Sequence, residues 1–209
     1  MRKIFTKQNI LKFILLNVGI FGMATGGVFF VKSNIGSDAL MVMNQGIAVA
    51  LNLELGYGVI IGNVVALILM IIFDRKDIGL ATILIAILTG QYVNLIQNIG
   101  FISSSTSIIQ SLLYILIGEL IGGFSIALYI LSKLGLSPFE ALNMVLSQKK
   151  NISFGKIKVI TDASMFTLGF VLGGKVGIGS IIIVLTFGPL IDIYLKFLKK
   201  TRLVKYLNK

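Results

Sequence analysis

Three acids fall inside long apolar runs of this 209-residue chain: Glu119, Asp162 and Asp192. An ionised carboxylate at membrane depth costs ~3 kcal/mol or more unless it is paired, hydrated or protonated, so each is a functional candidate. None of the three runs carries a Lys or Arg near its centre. A proton, a metal cation or a cationic solute is therefore the natural partner. Asp162 has a nearer one, because Lys158 lies four residues earlier on the same helical face. Lys196 stands in the matching relation to Asp192, whereas Glu119 has no such neighbour. The chain contains no Cys and no His, which removes thiol catalysis, the common zinc sites and the usual general base at neutral pH. Two aspartates on successive runs raise an aspartyl intramembrane protease, but Gly177-Ile178-Gly179 is followed by Ser180 where such an enzyme needs Asp. No catalytic residue, resident metal or cofactor is expected, and the chain is read as not an enzyme.

The elements that must position these acids are organised around a polar break that occurs twice. SKLGLSPFEALN runs from Ser132 to Asn143, and SNIGSDALMVMN runs from Ser33 to Asn44, 99 residues earlier. The same offset pairs Gly19 with Gly118, Asn52 with Asn151 and Asn63 with Asp162; an offset of 98 pairs Gly79 with Gly177, Gly90 with Gly188 and Asn94 with Asp192. Two copies of one unit with a one-residue slip explain this order, the internal symmetry typical of membrane transporters. It sets the amides Asn63 and Asn94 opposite two of the acids, although such amides more often hold helices together than bind ligand. Gln91 shares the second half of its run with Thr89 and Asn94. In the second break Ser137 is placed to cap a helix, Pro138 suits its first position, and Glu140 completes a capping box. The backbone N–H groups at that helix start favour anions, as they do in every capped helix.

Composition fixes the solvent. The hydrophobic fraction is 56%, the charged fraction 13% and the mean hydropathy +0.97, far from soluble domains in which about a quarter of residues are charged. An all-α integral membrane protein follows, with the lipid bilayer as its first partner. The net charge of +11 sits at the ends of apolar runs and not on one patch, so nucleic acid is not a partner. Crossings of roughly 20 residues are predicted over 11–31, 56–73 and 78–99, and over 108–130, 154–174 and 180–198. The stretches 39–53 and 138–148 reach only ~22 and ~16 Å at ~1.5 Å per residue and are read as short, non-spanning or re-entrant helices. The first repeat is then 1–99 and the second 108–198, with 199–209 a basic cytoplasmic tail.

Three crossings per copy turn the second copy upside down, giving inverted repeats. With six crossings, seventeen of the 19 Lys and Arg residues share one side, and only Lys32 and Lys175 lie on the other. Both termini are therefore expected in the cytoplasm. Counting the two short helices as spans gives eight crossings, parallel repeats and a weaker division of charge.

The residues GIFGMATGGVFFVKSNIGSDAL, GELIGGFSIALYILSKLGLSPFEALNMVL, GKIKVITDASMFTLGFVLGG and IGSIIIVLTFGPLID resemble the YczE/YyaS/YitT group of bacterial membrane proteins, over about 17–197. The first copy has Asp38-Ala39 where the group's break has Ser-Pro. The resemblance implies a bacterial plasma-membrane protein and brings with it no reaction, substrate or site residue. The leading expectation is a small secondary transporter that moves a small or amphipathic solute by alternating access, coupled to a proton or cation. The alternative is a non-transporting membrane subunit that binds a ligand or a partner protein, with glycine-rich faces such as Gly19 to Gly27 as docking surfaces. A homo-oligomer stays open under both.

Overall fold

The structure, a computed structural model, describes residues 6–73 and 78–201. Arg2 and Lys3, the charged residues 74–77 and the tail beyond 201 lie outside the described residues. Eight helices occupy the rest: α1 (Lys7–Lys32), α2 (Ala39–Ala50), α3 (Leu55–Phe73), α4 (Leu80–Ile99), α5 (Ile108–Ser132), α6 (Pro138–Lys150), α7 (Phe154–Val171) and α8 (Ile178–Lys199). Their ends fall within a few residues of the predicted segments. The widest departures are at 7–10, which are helical ahead of the expected start, and at 51–53 and 172–174, which lie beyond the ends of α2 and α7.

Five helices, α1, α3, α4, α5 and α8, are long and apolar enough to cross a ~30 Å hydrocarbon core. Their outward faces carry Phe13, Ile72, Ile109, Ile181 and Leu185, as expected of surfaces that meet lipid. The protein is thus a helical, multi-pass membrane protein. The 18 residues of α7 include Lys156, Lys158 and Asp162, and it is not among those five. Helices of 12 and 13 residues, α2 and α6 are too short to span.

Glycines on α1 and α5 set the centre of the fold. Gly19 lies against Ser125 and Tyr129, Gly22 against Ser125, and Gly26 against Gly118 and Gly122, so the two helices cross in opposite directions. Gly22 and Gly26, four residues apart on one face of α1, lie where this approach is closest. Along α1, α4 runs in the same direction, with Leu16 and Ile20 meeting Ala81 and Ile85. The equivalent neighbour of α5 is α8, with Ile115 beside Ile183 and Leu131 beside Leu198.

The two breaks share one construction. Asn34 and Lys133 have φ of 62° and 56°, and Gly36 and Gly135 have φ of 116° and 133°, in the region that favours glycine. The buried hydroxyls of Ser33 and Ser132 accept the N–H of Ile35 and of Leu134, each at 3.4 Å. Beyond its serine each break docks on a helix start in the other half. Gly179 N–H donates to the Ile35 carbonyl at 2.8 Å, and Ala81 N–H to the Leu134 carbonyl at 3.1 Å.

After its break each short helix begins inside the bundle and runs outward. Gly58 and Gly62 of α3 sit against Ala48 and Asn44, which makes α2 and α3 an antiparallel hairpin. Ala39 and Met43 cluster with Met165, midway along α7, and Phe139 at the start of α6 packs onto that cluster. The starts of the two short helices therefore meet near the centre.

A side chain at Gly26 has nowhere to go: a Cβ there would lie 2.7 Å from the Gly118 carbonyl oxygen and 2.9 Å from the Gly122 Cα. Overpacking of this kind costs about 1–3 kcal/mol. Gly26→Val should lower the melting midpoint in detergent well below the parent's. Gly155→Ala, in a helix with nothing within 4 Å of its Cβ, should leave the midpoint level or raise it.

Candidate functional site: a cavity between the two halves

A cavity of about 290 Å³ lies where the short helices begin, and all eight helices line it. Its lining follows the register of the two copies. At an offset of 99, Met23 answers Gly122, Gly27 answers Ile126, Phe30 answers Tyr129, Asp38 answers Ser137 and Asn63 answers Asp162. At an offset of 98, Ile85 answers Ile183 and Thr89 answers Phe187.

Two materials make up the wall. Phe30, Phe139, Phe187, Met23, Met41 and Met165 supply polarizable apolar surface. Asp38, Glu140, Asp162 and Lys158 supply charge, three carboxyls against one ammonium. Each carboxyl is held by its own element. Asp38 caps α2, accepting the Met41 N–H at 2.9 Å. Glu140 accepts from the hydroxyl of buried Tyr129 on α5. Lys158 bonds both oxygens of Asp162, at 2.9 and 3.1 Å, one turn away on α7. Asn44 Oδ1 and Thr89 Oγ1 are buried at the wall with no hydrogen-bond partner among the described residues. Asn44 Oδ1 faces Gly62 of α3, and a buried hydroxyl such as that of Thr89 calls for a ligand or water. The arrangement suits a small molecule with an apolar body and a polar or cationic end, held between acidic anchors.

The capping reading of the two breaks is reversed. Ser137 occupies the N-cap position of α6 but makes no side-chain cap, and Pro138 has no N–H to offer. Glu140 is turned to Tyr129 instead of closing a capping box. The first copy, whose Asp38-Ala39 departs from the Ser-Pro pattern, has the capped helix.

Three of the residues singled out in the sequence, Asp162, Asn63 and Ser137, come together at the cavity. Glu119 lies outside it, buried between α5 and α8, where the Thr186 hydroxyl reaches its carboxyl. That hydroxyl is also 2.7 Å from the Ile182 carbonyl, and its single hydrogen serves one acceptor at a time. Asn94 holds α3 to α4 by accepting the Gly56 N–H at 2.7 Å. Gln91 and Asp192 lie on exposed faces away from the cavity. Asp38, Glu140, Tyr129 and Lys158 were missing from the candidates. No sequence signal marked them, because they look like ordinary caps and turns until the breaks are known to lead into the bundle. Among the described residues no cluster of three or more His, Cys, Asp or Glu could hold a metal ion.

The sequence pattern of a family described as "Family of unknown function (DUF6198)" matches residues 10–196. An "Uncharacterized protein" of Haemophilus influenzae is 26% identical over 195 residues, covering 92% of this chain and 86% of that one. "Uncharacterized protein YyaS" of Bacillus subtilis is 23% identical over 201 residues, covering 93% and 98%. The resemblance to the YyaS-containing group read in the sequence is thereby shown. No solved structure matches the chain.

A charge-assisted hydrogen bond contributes about 1.5–3 kcal/mol, and a double-mutant cycle isolates it. Tyr129→Phe and Glu140→Gln should each lower the melting midpoint in detergent. Their double mutant should lose clearly less than the sum of the two. Strict additivity would show that the pair is not bonded.

Proposed function

The chain belongs to this family of unknown function, and on that premise we propose that it is a small secondary transporter that moves a small amphipathic solute by alternating access. It has six crossings arranged as two inverted repeats, in the plasma membrane of a bacterium, with both termini in the cytoplasm. Movement is coupled to a proton or cation through the cavity carboxyls, and the protein is not an enzyme.

One observation carries this reading: a cavity at the meeting of two half-chains, lined by residues that answer one another across the repeat. Discontinuous helices that start at mid-depth around such a cavity are the usual architecture of a midplane substrate site. The antiparallel crossing of α1 with α5 supports inversion, because copies related by an axis along the membrane normal would set those two helices parallel. The docking of each break on a helix start of the other copy points the same way. The sixth crossing is α7, whose Lys158–Asp162 pair lowers the cost of placing its charges at depth. The charge balance of the wall favours a solute with an amine or other cationic end, and its aromatic and thioether surfaces favour an apolar body.

The test starts from a thermal-shift screen of the purified protein against cations, amines and amphipathic compounds, followed by uptake of the best stabiliser into proteoliposomes. Asp162→Asn and Asp38→Asn should each reduce uptake at least tenfold. Gln91→Ala, on an exposed face, should leave it unchanged. Uptake at the parent rate in both cavity variants would remove the cavity from transport.

A further inference from the structure

The two halves match in sequence register but differ at one seam. In the first half α3 and α4 are pressed together through Gly56 and Gly90, where an added Cβ would lie 2.1 or 2.2 Å from the partner's carbonyl oxygen. Asn94, one turn beyond Gly90 on α4, accepts the Gly56 N–H and completes the contact. The second half contains the same parts. Gly155 answers Gly56, Gly188 answers Gly90 and Asp192 answers Asn94. There the contact is not made. Nothing lies within 4 Å of a Cβ at Gly155 or at Gly188, Asp192 is exposed, and no packing comparable to α3 on α4 joins α7 to α8. Ser153, at the start of α7, makes no side-chain cap, so the first N–H groups of that helix lack the partner that Gly56 has.

We propose that Gly155, Gly188 and Asp192 form a second gate, which closes α7 onto α8 when the Gly56–Gly90–Asn94 gate opens. This rests on the transporter reading and adds its moving parts. The gates lie on opposite sides of the cavity. Gly56 is near the end of α3 that follows α2, and Gly155 is near the end of α7 that follows α6. Since the short helices run outward in opposite directions, closing one seam and opening the other moves access from one face to the other. On closure Asp192 accepts the Gly155 N–H as Asn94 accepts that of Gly56. A carboxylate is well placed there, because a helix start favours negative charge. Asp192 is a positioning residue in this scheme and touches no solute.

The absence of native Cys gives a clean background for spin labels. One pair is placed at Lys156→Cys and Lys199→Cys, across the open seam, and another at Glu54→Cys and Asn98→Cys, across the closed one; all four positions are exposed. Pulsed electron-spin distances in nanodiscs should show two populations for each pair. Gly188→Val, which blocks the seam and narrows the cavity that Gly188 also lines without displacing any neighbouring atom, should keep the parent's melting midpoint. It should leave only the longer 156–199 distance and only the shorter 54–98 distance. Asp192→Ala should shift both pairs the same way, and Asp192→Asn should restore the parent's distribution. A single 156–199 distance in the parent, or Gly188→Val with both populations intact, overturns the gate. Two exchanging populations without flux of any tested solute would uphold the gate and remove the transport reading.

Discussion

A buried peptide group cannot be left without a hydrogen-bond partner, and this chain runs two irregular breaks between packed helices. The breaks after α1 and α5 are possible because each spends its carbonyl on the other half: Ile35 on the start of α8, Leu134 on the start of α4. The serine hydroxyl in each break then serves the N–H two residues on. The halves are interlocked by this exchange. In an isolated half each of these carbonyls would lose its donor. The glycine crossing of α1 and α5 is the companion requirement, because only helices in backbone contact bring the two breaks within reach of the opposite helix starts.

The cavity follows from that interlock. Each break brings a helix start to the middle of the bundle, capped by Asp38 in the first copy and uncapped by a side chain in the second. Two helix starts carry partial positive charge toward one another. Asp38 and Glu140 stand in the first turns of those helices or just before them, so the wall balances helix ends with carboxylates. In the proposed transporter a solute with a positive group would compete for those carboxylates, whereas an anion would have to displace them, so that the acids, and not the helix N–H groups, would dominate recognition.

Much of the fold was legible in the sequence because its segments differ so sharply in polarity. A run such as Ile108 to Ser132 has one possible environment, and a stretch such as Ser33 to Asp38 punctuates it without ambiguity. The paired offsets were legible too, and the cavity respects them residue by residue. What could not be read was direction within the short segments. Asp38 and Glu140 look like caps at a membrane surface until the preceding break is known to turn inward. The capping of α6 was misread for a related reason. The Ser-x-x-Glu pattern describes local chemistry, but buried Tyr129 offered Glu140 a partner from another helix, and a bond that relieves a buried hydroxyl outweighs an additional cap. Glu119, the acid with no neighbour in sequence, found Thr186 on α8 by the same kind of tertiary encounter.

The difference between α3 and α7 gives the two halves unequal roles. On α3 the outward residues are apolar, Val64, Val65 and Ile68 among them, and lipid can wet that face in any arrangement of the bundle. The α7 helix carries Lys156, Lys158 and Asp162 with Thr161 and Ser164, and exposing those groups to hydrocarbon would cost several kcal/mol. Its polar stripe must therefore meet water or protein in every state. In this structure Lys158 and Asp162 pair with each other, with both side chains partly exposed, and on the proposed closure of the α7–α8 seam they would stay paired or turn to a solute. In the proposed mechanism such a helix is a poor membrane anchor and a serviceable moving wall: its energy would depend on whether the cavity beside it is wet, empty or filled, and that dependence would let a bound solute bias the seam.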